Sequence, residues 1–150
     1  RRQRQMCIRD SSIIAFAGMF LFVDIKKIKP LRIVIDPANA MGAVYFTELF
    51  KHISAQLIKM NWELDGTFPA HEADPYKQEN VKDLGQRVLQ ERADLGIATD
   101  GDGDRIFFVD ELGDPVEAGI IRAVLSKLFL QDKPGSKIAY DIHVPLSTRL

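Results

Sequence analysis

Cysteine is nearly absent: Cys7 is the only one in 150 residues, so no internal disulfide can form. That usage fits a reducing compartment, and a cytoplasmic protein is expected. A basic excess is lacking too, since 20 lysines and arginines face 21 acids for a formal net charge of -1. Phosphate-backbone binding needs surplus positive charge, so no nucleic-acid partner is expected. The apolar run from Ile13 to Val23 is shorter than the ~20 residues that span a bilayer, so no membrane partner is expected either. What is present is a globular balance. With 46% hydrophobic and 27% charged residues, the chain can bury a core, and its length allows one domain or one plus part of a neighbour.

Arg1, Arg2, Arg4 and Arg9 followed by that apolar run imitate a secretory signal, and Ala15-Phe16-Ala17 imitates its cleavage site. The triplet lies inside the run, where a signal peptidase site does not belong. Residues 1–12, Cys7 among them, are read as a non-native tail, and 13–29 as a connecting segment or helix.

Beyond Pro30, periodicity alternates between strand and helix. Leu31 to Ile35 predicts a buried strand, and Met41, Val44, Tyr45, Leu49 and Ile53 an amphipathic helix. A weaker strand is expected within 57–64, then a long loop marked by Asp65-Gly66, Pro69 and Asp74-Pro75. Val81, Leu84, Val88 and Leu89 share one helix face, with Asn80 as N-cap and Asp83 at N3. Strands are expected over 94–99 and 105–109, a helix through Ile120 to Phe129 stopped at Lys133-Pro134-Gly135, and a last strand from Lys137 to Tyr140. The expected fold is α/β: a layered, mixed, largely parallel sheet with flanking helices. It spans 30–114, and 115–150 is expected to be the truncated start of a second, similar domain.

Asp100-Gly101-Asp102-Gly103-Asp104-Arg105 carries the chemistry. Three carboxylates at alternate positions repel one another, and a bound cation is the usual remedy. The glycines allow backbone conformations that turn all three inward, and oxygen ligands select magnesium or calcium over softer metals. The loop follows an apolar strand, where ligands gather in open α/β sheets. Arg105 is placed to pair an acid or to contact a phosphate. An ordinary solvated turn would leave the repulsion uncompensated. An EF-hand would put Glu111 at its twelfth position, but it needs glycine where Arg105 stands and helices where these flanks read as strands. Two alternatives stay open: an aspartyl phosphatase with Asp100 as nucleophile and Asp102 as acid/base, and a standalone divalent-cation binding module.

The stretch from Asp94 to Arg105 resembles the metal loop of the α-D-phosphohexomutases, the phosphomannomutase/phosphoglucomutase family. Ile33-Val34-Ile35-Asp36-Pro37-Ala38-Asn39-Ala40-Met41-Gly42 resembles the opening of that family's second domain. Phe68-Pro69-Ala70-His71 with Glu79-Asn80-Val81-Lys82-Asp83-Leu84 resembles its middle. Pro134-Gly135 with Ile138-Ala139-Tyr140-Asp141 resembles the first strand of the third domain. The resemblance implies an isomerase that interconverts hexose 6-phosphate and hexose 1-phosphate, of mannose or glucose, through a phosphoserine and a bisphosphate intermediate. It implies Mg2+ held by Asp100, Asp102 and Asp104, and Arg105 in contact with phosphate.

The family's Thr-Ala-Ser-His-Asn-Pro phosphoserine loop, its Gly-Glu-x-x-Gly-His sugar loop and its fourth-domain phosphate loop do not occur in this sequence. The chain alone is therefore expected to be inactive and to pack against other domains of a parent protein. Ala40 stands where relatives often have glycine. His143 stands where they often have Lys or Arg, and is the candidate for substrate binding. His71 is read as a solvated loop histidine, His52 as surface, Asn39 as a turn residue, Trp62 and Phe68 as core or domain-interface packing, and Phe107 and Phe108 as structural.

Overall fold

The run Arg32–Asp36 forms strand β1, buried from its second residue onward, in the computed structural model, which describes residues 24–139. Its β-branched residues suit a strand covered on both faces. Strand β2 (Gln56–Lys59) pairs with it in parallel on one side and strand β3 (Leu95–Thr99) in parallel on the other. Strand β4 (Ile106–Val109) closes the sheet antiparallel to β3, so the order is β2-β1-β3-β4. This is the mixed, largely parallel sheet expected from the sequence.

Because strand side chains alternate faces, the sheet carries two cores. On one face Val34, Ala98 and Val109 meet Val81, Leu84 and Val88 of helix α2 (Gln78–Glu91). On the other, Ile33, Ile35 and Ile97 meet Phe46, on helix α1 (Gly42–Leu49), and Phe50 just past its end. Phe107 belongs to the first core and Phe108 to the second, and Trp62 packs on the second. Before β2, Phe46 and Phe50 therefore pack half-buried on the sheet while Tyr45 is exposed, and the helix ends before Ile53.

Helix α2 begins earlier than its periodicity predicts. Its cap position is Lys77, and Asn80 lies inside the helix with Nδ2 donating to the Asp74 carbonyl at 2.8 Å. That bond fastens the preceding loop, so Asn80 serves the loop and not the cap. Leu89, expected on the buried face, is exposed. Phe68 is exposed as well and has a φ of 51°, so it belongs to the loop rather than to either core.

Helix α3 (Ala118–Asp132) leaves Val124, Leu125, Leu128 and Phe129 exposed among the described residues. Ile25–Lys27 forms a short 3-10 turn in the connecting segment. Residues 137–139 carry no strand; the remainder of that expected strand, His143 and the arginine-rich tail lie outside the described residues.

Gly96 marks a close approach of α2 to the sheet. A Cβ there would stand 2.8 Å from Val88 Cγ2 and 3.0 Å from Val109 Cβ. Gly96→Ala is expected to destabilise the fold by about 1–3 kcal/mol through overpacking. Leu84→Ala, at a fully buried position, should cost roughly 2–5 kcal/mol. Urea unfolding followed by circular dichroism checks both, and an unchanged midpoint in either would contradict this packing.

Candidate metal centre

The loop 100–105 joins two antiparallel strands whose last pair is Thr99 with Ile106. The Asp100 N–H donates to the Arg105 carbonyl at 3.3 Å, closing the loop at its base. Gly103 takes a φ of 79°, and a Cβ there would press on the Tyr45 ring at 3.2 Å. Glycine is needed at that point on both grounds. The carbonyl of Gly101 accepts from the Met41 N–H, which ties the loop to the start of α1.

Asp100 is the buried member of the trio, its side chain 3% exposed. One carboxylate oxygen accepts from the backbone N–H groups of Gly103 and Arg105, each at 3.1 Å. The other accepts from Arg105 Nε at 2.6 Å. Burial pushes its pKa up, but the Arg105 backbone N–H and guanidinium outweigh that and hold it below the usual value. The same bond raises the pKa of Arg105.

Asp102 and Asp104 are exposed, and one carboxylate oxygen from each of the three aspartates lies within 4.8 Å of the others. Repulsion from Asp102, with burial and Asp100 adding to it, raises the pKa of Asp104. Arg105 compensates Asp100 at close range but stands 3.7 Å from Asp104. The trio thus keeps uncompensated negative charge at one point, and its donors are all carboxylate oxygens. That set fits a hard dication such as Mg2+. The flanks are strands, as the rejection of an EF-hand requires. With both oxygens of Asp100 engaged by donors, it is poorly disposed to act as a nucleophile.

The structure also gathers residues that local pattern did not single out. Asp36, at the end of β1, has a side chain with no exposed surface, and it accepts from the Ala38 N–H at 2.9 Å and from Asn61 Nδ2 at 2.9 Å. His71 Nε2 lies 3.0 Å from the same carboxylate. His71 is therefore no solvated histidine; its side chain is 19% exposed and paired. Asn39 does shape a turn, with a φ of 60°. His52 stands 3.5 Å from Glu48 at the surface.

In the metal-free chain Asp104 should titrate above its ordinary 3.8 and fall toward it in Asp102→Asn, because Asp102 is the main cause of the shift. Carboxyl carbon shifts against pH measure this. A pKa unmoved by the substitution would mean the three oxygens do not share one place.

The family model described as phosphoglucomutase/phosphomannomutase, alpha/beta/alpha domain II, matches residues 13–113. A phosphomannomutase/phosphoglucomutase of Pseudomonas aeruginosa is 37% identical over 119 residues, covering 79% of this chain and 26% of that one. A phosphomannomutase of Escherichia coli is 35% identical over 152 residues, covering 98% of this chain and 33% of that one. The chain thus spans about a quarter to a third of the length of these relatives. A solved phosphoglucomutase/phosphomannomutase family protein of Burkholderia thailandensis superposes with a TM-score of 0.70 at 30% identity, over 75% of this chain and 25% of that one. By sequence match and by fold, the chain belongs to the phosphoglucomutase/phosphomannomutase family.

Proposed function

We propose that this chain supplies the magnesium-binding part of an enzyme that interconverts hexose 6-phosphate and hexose 1-phosphate. The observation that carries the reading is the gathering of one oxygen each from Asp100, Asp102 and Asp104 within 4.8 Å. These three side chains would hold Mg2+. When bound, the ion supplies neutralisation of phosphate oxygen charge during transfer between a serine and the sugar hydroxyls.

The remaining work falls to the chain's own groups. Arg105 is half exposed, and with Nε on Asp100 its terminal nitrogens remain for a phosphate oxygen. The Asp100–Arg105 pair fixes the guanidinium plane before a phosphate arrives, so less of its freedom is lost on binding. The phosphate-carrying serine and the sugar-recognising loop would come from other parts of a parent protein, to which the chain would be joined. Mannose and glucose phosphates are the expected substrates, and the cytoplasm is the expected setting.

Mg2+ added to the chain should bind, with affinity lost by more than tenfold in Asp102→Asn; titration calorimetry checks it. Equal binding by the variant would remove the assignment. The chain alone should release no inorganic phosphate from hexose phosphates, and turnover there would favour the phosphatase reading.

A further inference from the structure

We propose that His71 is a positioning residue for this centre: its doubly protonated ring clamps the 65–77 loop to the end of β1 and so supports the aspartate loop. This rests on the reading of Asp100, Asp102 and Asp104 as the Mg2+ ligands. Nε2 faces the Asp36 carboxylate at 3.0 Å, and Nδ1 faces the Glu72 carbonyl at 2.9 Å. Both partners are acceptors, so the geometry is satisfied when both ring nitrogens carry hydrogen.

A carboxylate without exposed surface is stabilised by a partner of opposite sign, and among the described residues bonded to Asp36 only His71 can be a cation. The groups facing the ring are acidic on each side: Asp36 on β1 and Asp83 on α2. The Glu72 carboxylate is itself engaged by Lys77. Accordingly the His71 pKa is raised from 6.5, the bond to Asp36 outweighing burial.

His71 lies between Phe68 and Ala73, whose ring and methyl would be the nearest neighbours of a Cβ on Gly101, at 3.9 and 4.0 Å. Three residues further, the Tyr76 ring faces the Arg105 guanidinium at 5.6 Å. The loop that His71 fastens is thus one wall of the aspartate loop. Asn61 and Asn39 brace the same loop: the Asn39 N–H donates to the Asn61 carbonyl, and the Asp65 N–H to the Asn39 carbonyl.

A raised pKa means the clamp is whole below about 6.5 and loosens as pH rises through the folded value. Ring nitrogen shifts of His71 and Mg2+ affinity are to be measured together from about pH 5.5 to 9. Wild type should stay doubly protonated above 6.5 and lose roughly tenfold in Mg2+ affinity as the ring deprotonates, the scale of an outer-sphere partner. His71→Gln should bind at the weak level throughout with no pH step, and His71→Lys should restore tight binding without the step. The backbone amide shifts of Gly101 and Arg105 in the metal-free chain should follow the His71 titration. His71→Gln with wild-type affinity and pH profile overturns the proposal, as does a ring that is neutral at pH 6. Loss of Mg2+ dependence on Asp102 would instead strike the metal reading. The clamp would then stand or fall on whether the Gly101 amide follows His71.

Discussion

Parallel pairing of β1 with β3 is the constraint on which the site depends. It fixes Asp36 opposite Ala98 and delivers both strands' carboxyl ends to one edge of the sheet. Asp36 and Asp100 emerge there as buried acids: Asp36 is held by one backbone N–H, the Asn61 amide and His71, and Asp100 by two backbone N–H groups and the Arg105 guanidinium. Two carboxylates with almost no solvent contact are tolerable only with such partners. The two hydrophobic cores hold the edge in place, one under α1 and one under α2.

The two acids are compensated in different ways, and the difference sets their chemistry. Asp36 is closed off, with donors filling its surroundings from Ala38 in the turn after β1, from Asn61 and from His71. Asp100 has one side turned toward Arg105 and belongs to a cluster whose other members, Asp102 and Asp104, face solvent. One carboxylate is enclosed on every side, and the other belongs to a cluster whose remaining members are exposed.

Much of this was legible in the sequence, for reasons of range. The strands over 32–36 and 95–99 announce themselves through β-branched and apolar runs. The alternating aspartates announce themselves because their repulsion is local and needs no knowledge of the fold. The pairing of His71 with Asp36 was not legible, since 35 residues separate them and only the loop's path joins them. Asn80 misled because its amide answers the Asp74 carbonyl, a tertiary demand that overrides the local capping preference. Leu89 misled because helical periodicity defines a stripe but not its width.

The hairpin that carries the aspartates also restricts its own length. The ladder runs unbroken to Thr99 and Ile106, and the six residues between them are closed at the base by the Asp100–Arg105 backbone bond. An inserted residue must either break that closure or slide β4 by one position. Sliding would exchange Phe107 and Phe108 between the two cores and turn the strand inside out. Loop size is thus policed by packing on the far side of the sheet, so tolerance to insertion is decided by phenylalanines rather than by aspartates.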